Sequence, residues 1–171
     1  MAKPLHTIGY EGSSIDEFVG TLNRSGIDLL IDVRELPLSR KRGFSKNALC
    51  SLLASHEIEY LHLRGLGDPK PGRLAAREGR YTDFRRIFSA HLRTQIAQMD
   101  LQKGIEAARA RNACLLCFER DHKNCHRCIV AEEMAKHAKF KLIHIGSVNA
   151  VGKGLMKESA RVNTGNSAYI G

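Results

Sequence analysis

The sequence of 171 residues is poor in aromatic side chains: it has no tryptophan, and phenylalanine and tyrosine together make up 6%. It also lacks a long apolar run, because no stretch approaches the ~20 apolar residues of a membrane-spanning helix. Residues 1–10 lack the apolar core of a signal peptide. So few aromatic rings offer little surface for stacking single-stranded nucleic acid. We therefore expect a globular, cytoplasmic protein with no membrane partner.

Cysteine is scarce and unevenly placed. Four of the five cysteines lie between Cys114 and Cys128. An odd number of clustered cysteines does not suit a disulfide framework. The pattern favours a reducing compartment, in which the thiols are free, bound to a metal or catalytic.

The excess of positive charge is confined to two segments. The formal net charge is +9; residues 34–46 contribute +4 and residues 64–93 contribute +5, so the rest of the chain is neutral. A localised basic surplus favours an anionic partner, such as nucleic acid, a nucleotide or phosphate. The alternative is a solvated face that keeps the protein soluble.

Strand and helix patterns alternate along the chain. Apolar, β-rich runs predict strands at 5–9, 29–33, 58–63, 113–118 and 140–145, with helices between them. This alternation predicts an α/β fold: a single three-layer domain over residues 5–146, with a mostly parallel five-stranded sheet and helices on both faces. We predict the strand order 3-2-1-4-5 and a loosely packed tail at residues 147–171.

Local signals predict where the helices begin and end. Ser14 and Glu17 match a capping box, Ser45 precedes a leucine-rich helix, and Asn124 is placed to cap the last helix. Residues 81–111 read as helix with a break near Asp100. Residues 64–80 are rich in Gly, Pro and Arg, which predicts a long surface loop with a functional role or high mobility.

The segment from Cys114 to Cys128 combines thiol, carboxyl, imidazole and guanidinium groups within fifteen residues, CLLCFERDHKNCHRC. It runs from a strand into a helix, and ligands of open α/β sheets bind outside the carboxyl ends of strands. We expect the functional site at this edge. One rim would then carry Tyr10, Asp32, Arg34, Cys117 and Glu119.

Several short motifs occur together in this chain: TIGY at 7–10, DVR at 32–34, GF at 43–44, YLHL at 60–63, LG at 66–67, LCFE at 116–119 and CHR at 125–127. In these motifs the chain resembles, over about residues 5–146, domain of unknown function family 488. The resemblance implies an α/β fold and a shared polar site but no established reaction. The family pattern includes Cys117, Glu119 and the CHR triplet, and typically has other residue types at Cys114 and Cys128.

The pairs Cys114/Cys117 and Cys125/Cys128 have a spacing used by zinc and iron–sulfur sites. The first pair lies in a strand, where residues three apart point to opposite faces, so a four-cysteine site is disfavoured. A smaller metal set of Cys117, Cys125 and His126 stays open. Cys114, Cys128 and also Cys50 are expected to be buried as small apolar residues.

A helix start at residue 125 would lower the pKa of the Cys125 thiol and make it a plausible thiolate. His126 and Arg127 are cations at the positive end of a helix, which favours an anion or a carboxylate beside them. Alternatively, Arg127 and Glu119 form an internal clamp. Asp32 lies in an apolar strand, where an ion pair with Arg34 competes with a role in the site.

Together these observations predict an enzyme that acts on a phosphate-bearing substrate, which is either a nucleic acid or a nucleotide. The alternatives are a non-catalytic nucleic-acid-binding protein and a zinc or iron–sulfur protein with the clustered cysteines as ligands. The candidate catalytic residues are Asp32, Cys117, Glu119, Cys125 and His126. The candidate substrate-binding residues are Tyr10, Arg34, Arg40, Arg42 and Arg127.

Overall fold

Strands and helices alternate through residues 1–146, the part of the chain that the computed structural model describes. The strands are β1 (Lys3–Gly9), β2 (Leu29–Asp32), β3 (Glu59–His62), β4 (Ala113–Cys117) and β5 (Phe140–Ile145). The helices are α1 (Ile15–Arg24), α2 (Lys46–Ser55), α3 (Lys70–Arg77), α4 (Tyr81–Leu92), α5 (Gln95–Ala110) and α6 (His126–His137). Within these residues no helix has the length and apolar character needed to cross a membrane. The tail predicted at 147–171 lies outside the described residues.

The five strands form one parallel sheet in the order β3-β2-β4-β1-β5. The predicted α/β class is confirmed, but the predicted order 3-2-1-4-5 is wrong, because β4 lies between β2 and β1. Every residue of β4 is buried. A strand that is apolar on both faces is most stable at the centre of the sheet, because helices cover both of its faces there. In that position it also pairs with a strand on each side.

Two cores flank the sheet, because successive side chains of a strand point to opposite faces. Leu30 and Leu116 belong to the core beneath α1 and α2. Ile31 and Leu115 belong to the core beneath helices α3 to α6. The three layers follow directly from strands that are apolar on both sides.

Two of the predicted helix starts are confirmed in position. Ser14 and Glu17 form the capping box of α1: the Glu17 amide donates to Ser14 Oγ at 3.2 Å, and the Ser14 amide donates to Glu17 Oε2 at 2.9 Å. Ser45 precedes α2, although its hydroxyl donates to the Ser39 carbonyl instead of capping the helix. The break in the segment 81–111 lies at 93–94 and not near Asp100, because Thr94 caps α5.

Two other local predictions are wrong. Residues 64–80 are not one long loop: they contain a 3-10 turn (Arg64–Leu66) and then α3, which has a proline in its first turn. Asn124 does not cap α6, because it ends a 3-10 turn (His122–Asn124) that Asp121 caps through the Lys123 amide. Cys125 is the residue that precedes α6, so its extended backbone leads directly into the helix.

Gly9 ends β1 where the loop after β4 crosses it. A β-carbon at Gly9 would lie 1.8 Å from the Glu119 carbonyl oxygen, which is far inside contact distance. This position therefore requires glycine, because any side chain would push the 118–120 segment away from the sheet.

We predict that Gly9→Ala lowers the free energy of unfolding by about 1–3 kcal/mol, since the added methyl group collides with backbone atoms. Gly20→Ala is the matched control: it lies inside α1, and the new β-carbon would meet only the flexible end of Arg24. It should raise stability by about 0.5–1 kcal/mol. Urea unfolding followed by circular dichroism measures both, and equal effects of the two changes would contradict this account.

Candidate functional site

A cavity of about 890 Å³ opens at the carboxyl edge of the sheet. Tyr10 follows β1, Arg34 follows β2 and Phe118 follows β4, and all three line it. The segment 68–77 and the start of α6 form further walls. Its volume lies within the range of small-molecule sites. The cavity therefore lies at the edge of the sheet where the sequence predicted a site.

Cys117, Cys125 and His126 form a buried group at this cavity, which we call the thiol–imidazole cluster. The Cys117 Sγ lies 3.5 Å and the Cys125 Sγ 3.9 Å from His126 Nδ1. His126 Nε2 lies 2.7 Å from the Val33 carbonyl oxygen. A carbonyl only accepts, so Nε2 carries a hydrogen. The Cys117 Sγ also lies 3.9 Å from Nε2, so this sulfur lies beside the imidazole ring and not in line with Nδ1.

Burial controls the pKa values in the cluster. It raises the pKa of both the Cys117 and the Cys125 thiols, so the predicted thiolate at Cys125 is not supported. Burial also disfavours the imidazolium of His126, but the Cys125 sulfur, the Val33 carbonyl and Glu119 together outweigh it and raise the pKa of His126 to about 9. The helix-start effect expected from the sequence is therefore smaller than the cost of desolvating a thiolate.

Two carboxyl groups line the same part of the cavity. Glu119 Oε2 lies 3.1 Å from Cys117 Sγ, and although burial acts against ionisation, this contact and His126 hold the pKa of Glu119 below its ordinary value. Asp68 is only 5% exposed, and its Oδ1 has no hydrogen-bond partner among residues 1–146. Burial raises the pKa of Asp68 to about 6. The thiol–imidazole cluster, Glu119 and Asp68 together form what we call the floor of the cavity.

Exposed side chains surround the opening. Arg40 and Arg77 line it and have no ion-pair partner within residues 1–146, whereas Arg73 pairs with Glu35. Leu36, Leu38, Tyr81 and Phe118 add exposed apolar surface. We call these exposed lining residues the mouth of the cavity: Arg40, Arg77, Leu36, Leu38, Tyr81 and Phe118.

Arg34 lines the cavity but is committed to an internal network. The predicted ion pair is confirmed: Arg34 Nη2 lies 2.7 Å from Asp32 Oδ2, and Arg34 Nη1 donates to the Phe44 carbonyl at 2.8 Å. Nη1 also lies 3.3 Å from the hydroxyl of Tyr10, and Tyr60 donates to Asp32 at 2.6 Å. The network joins the ends of β1, β2 and β3 to the loop that precedes α2.

Three of the predicted site residues do not reach the cavity. Asp32 is fully buried under Arg34, and Arg42 is exposed on the basic loop outside the cavity lining. Arg127 is 1% exposed and donates to Thr7 Oγ1 and to the carbonyl oxygens of Glu119 and Arg120. The expected clamp between Arg127 and Glu119 exists, but it binds the backbone carbonyl and leaves the Glu119 carboxylate facing the cavity.

The remaining cysteines lie apart from the cluster, so residues 1–146 contain no four-cysteine site. Cys114 is buried against α1 and α2 on the opposite face of the sheet, as expected. Cys128 is half-buried, and its Sγ lies 3.5 Å from Glu132 Oε1. Cys50 is exposed, so its predicted burial is wrong: Leu49 and Leu53 occupy the buried face of α2.

The sequence interpretation missed Asp68, Arg73 and Arg77 as cavity residues. All three lie in the segment that was expected to be a loop after the third strand. The available signal was its position, because that segment leaves the same edge of the sheet as the DVR and LCFE motifs. No spacing rule connects residue 68 with residue 126.

Fold and site together define an α/β protein with a buried polar floor at the carboxyl edge of a parallel sheet. The chain belongs to the family described as domain of unknown function DUF488, whose model matches residues 14–134. The resemblance inferred from the motifs is thereby confirmed. Neither the comparison with curated proteins nor the comparison with solved structures finds a match.

We predict that Asp32→Asn lowers the free energy of unfolding by about 3 kcal/mol or more, because it leaves the Arg34 guanidinium buried without a counter-charge. Tyr60→Phe removes only one hydrogen bond to the same carboxylate and should cost about 1 kcal/mol. Chemical unfolding at neutral pH compares the two. A loss for Asp32→Asn no larger than that for Tyr60→Phe would show that the ion pair is not a main support of this edge.

Replacing Asp68 should have the opposite effect to replacing Asp32: at neutral pH it should raise the free energy of unfolding. Because burial raises the pKa of this carboxyl from about 4 in the unfolded chain to about 6, its ionised form destabilises the fold. The cost is absent below pH ~4, grows as pH rises through this window, and is complete above pH ~6. Asp68→Asn should therefore stabilise the protein by about 1–2 kcal/mol at pH 7.5 and by nothing near pH 4; solvent in the cavity reduces the effect.

The measurement is unfolding at both pH values with EDTA present, so that no bound cation changes the field at Asp68. The charged groups that act on it are His126, Arg73, Glu119 and Glu35. Asp83→Asn is the control, because its exposed carboxylate pairs with Arg80 and its removal should give no gain at pH 7.5. A gain for Asp68→Asn that is the same at both pH values would contradict the assignment.

Proposed function

We propose that this protein is an enzyme that acts on a phosphate-bearing substrate, a nucleotide or a nucleic acid, in the cavity at the carboxyl edge of the sheet. One observation carries the proposal. Buried protonatable groups lie on the floor of the cavity, while its mouth carries two arginines, Arg40 and Arg77, that have no carboxylate partner in the described part of the chain. A protein that only binds a phosphate-bearing ligand needs the arginines at the mouth but does not need the buried protonatable groups on the floor.

The floor has the composition of an acid–base site. Glu119 and Asp68 are both carboxyl residues, but the thiol of Cys117 and the imidazole of His126 favour the ionised form of Glu119, whereas burial favours the protonated form of Asp68. Two carboxyl groups with opposite preferences can accept and donate a proton at one pH. The absent bond at Asp68 Oδ1 also supports a ligand contact there, since buried polar atoms normally have a partner.

The mouth has the composition expected for a nucleotide. Arg40 and Arg77 can each donate two parallel hydrogen bonds to the oxygens of a phosphate. Leu36, Leu38 and Phe118 offer apolar surface beside them, on which a sugar or a base can pack. The basic segments 34–46 and 64–93 supply these arginines, so the localised charge and the cavity support the same class of substrate.

The alternative function is nucleic-acid binding without catalysis. The arginines of the mouth would serve it equally well, but Tyr81 and Phe118 are the two aromatic side chains exposed there, which is few for stacking bases. This alternative also gives no role to Asp68, whose buried Oδ1 has no hydrogen-bond partner within residues 1–146. We therefore favour an enzyme and use turnover to separate the two.

We also propose a cytoplasmic location. All five cysteines are free, and Cys117 and Cys125 lie close together as thiols. Neighbouring free thiols are typical of reducing compartments. This supports the location expected from the sequence.

We predict that Arg40→Gln raises the dissociation constant for ADP and for a short fluorescein-labelled DNA strand roughly 3- to 10-fold at low salt. Arg42→Gln is the matched control, because it removes the same charge from the same loop but outside the cavity. Calorimetry for ADP and fluorescence anisotropy for DNA measure both, with a salt titration. If the two substitutions weaken binding equally, the basic loop acts through its overall charge and the cavity is not the binding site.

Turnover separates an enzyme from a binding protein. The protein is incubated with nucleotides and oligonucleotides, and products are followed by mass spectrometry. Glu119→Gln should reduce turnover by at least ~100-fold while leaving affinity nearly unchanged, since it removes a proton acceptor without changing shape. Tight binding without any turnover in the unaltered protein would favour the non-catalytic alternative.

A further inference from the structure

The thiol–imidazole cluster brings three soft or borderline donor atoms into one place from two elements. Cys117 ends β4, Cys125 precedes α6, and His126 is the first residue of that helix. Their donor atoms all lie within 4.8 Å of one another, and all three side chains are buried. In a tetrahedral zinc site a thiolate and an imidazole nitrogen lie roughly 3.5 Å apart. The separations here are close to that value, 3.5 and 3.9 Å. Because the Cys117 Sγ also lies 3.9 Å from Nε2, a bound ion requires the Cys117 side chain to turn towards the Nδ1 lone pair.

The orientation of His126 is that of a metal ligand. Its Nε2–H donates to the Val33 carbonyl, so Nδ1 is the ring nitrogen that is left to bind a metal. Ligating histidines generally donate their second ring N–H to a carbonyl or a carboxylate, which fixes both the tautomer and the ring plane.

Charge balance favours a divalent ion in this position. Two thiolates and one neutral imidazole carry two negative charges, and a divalent cation cancels them. Binding transfers to solvent the two thiol protons and the Nδ1 proton that His126 carries at neutral pH, where its pKa is about 9. The result is a neutral group, which a buried site tolerates far better than separate charges.

We infer that Cys117, Cys125 and His126 bind one zinc ion through two sulfurs and Nδ1, with the fourth coordination position directed to the cavity. The donor set favours zinc, because two thiolates with one imidazole suit it better than they suit magnesium or calcium. Cys114 and Cys128 lie elsewhere, so a cluster with four cysteine ligands is not formed.

The open position distinguishes this site from a structural one. Structural zinc sites have four protein ligands, whereas catalytic sites have three and keep a place for water or substrate. All three donors line the cavity, and Glu119 Oε2 lies 3.1 Å from Cys117 Sγ. Glu119 is therefore placed to contact whatever occupies the fourth position. This reading rests on the proposed function, in which the floor of the cavity holds the reacting groups.

The direct test is metal analysis of protein purified without added metal or chelator, followed by titration of the stripped protein with Co²⁺. We expect one zinc per chain and, with cobalt, a near-ultraviolet charge-transfer band from thiolate to metal that saturates at one equivalent. Zinc should also raise the melting temperature of the stripped protein. No bound zinc together with no such band would overturn the inference.

Variants assign the ligands. Cys125→Ser and His126→Asn should each weaken zinc binding, measured by competition with a chromophoric chelator, by at least ~100-fold. Cys128→Ser is the matched control, since it changes a cysteine of the same helix whose sulfur faces Glu132, and it should bind zinc as the unaltered protein does. Circular dichroism checks folding. If Cys125→Ser does not fold, the cobalt spectrum of the unaltered protein decides the question alone.

The outcome is independent of the substrate. If the protein binds zinc at these residues but has no affinity for ADP or DNA, the proposed function is contradicted and the metal site stands. If the protein binds ADP or DNA but binds neither zinc nor cobalt, the metal site is contradicted and the proposed function stands. Zinc binding that Cys128→Ser weakens as much as Cys125→Ser does would show that the ion lies elsewhere.

Discussion

The buried ion pair between Asp32 and Arg34 is the interaction on which the cavity edge of the sheet depends. An isolated charge in this position would be very costly, so each partner requires the other and additional hydrogen bonds. Arg34 obtains them from the Phe44 carbonyl and Tyr10, and Asp32 obtains one from Tyr60. Because these partners come from the end of β1, from β3 and from the loop before α2, the pair fixes the wall of the cavity.

Beyond that wall the site contains groups that stability alone would not select. Among the described residues, Asp68 has a buried oxygen without a hydrogen-bond partner, and Cys117, Cys125 and His126 bury sulfur and nitrogen atoms together. Departures from good packing and full hydrogen bonding are concentrated at functional sites in proteins. The concentration of such groups on one side of β4 is the physical argument for function in this cavity.

The central position of β4 explains how these groups meet. The strand pairs with β1 and β2 and ends at Cys117, so the loop that follows it emerges between them. Gly9 lets that loop lie against the end of β1, and Arg127 holds it there through the carbonyls of Glu119 and Arg120. Glu119 is thereby directed to the cavity, with its backbone and not its carboxylate bound to Arg127.

The alternating pattern of the sequence determined the α/β class, the two strands buried on both faces and the capping box at Ser14, because these depend on neighbours in the chain. It also placed Cys117, Glu119 and His126 at one edge, since carboxyl ends of parallel strands meet there. Tertiary structure alone decided the strand order, the burial of Arg127 and the arrival of Asp68 at the floor. Those depend on contacts between residues far apart in sequence, for which no local spacing rule exists.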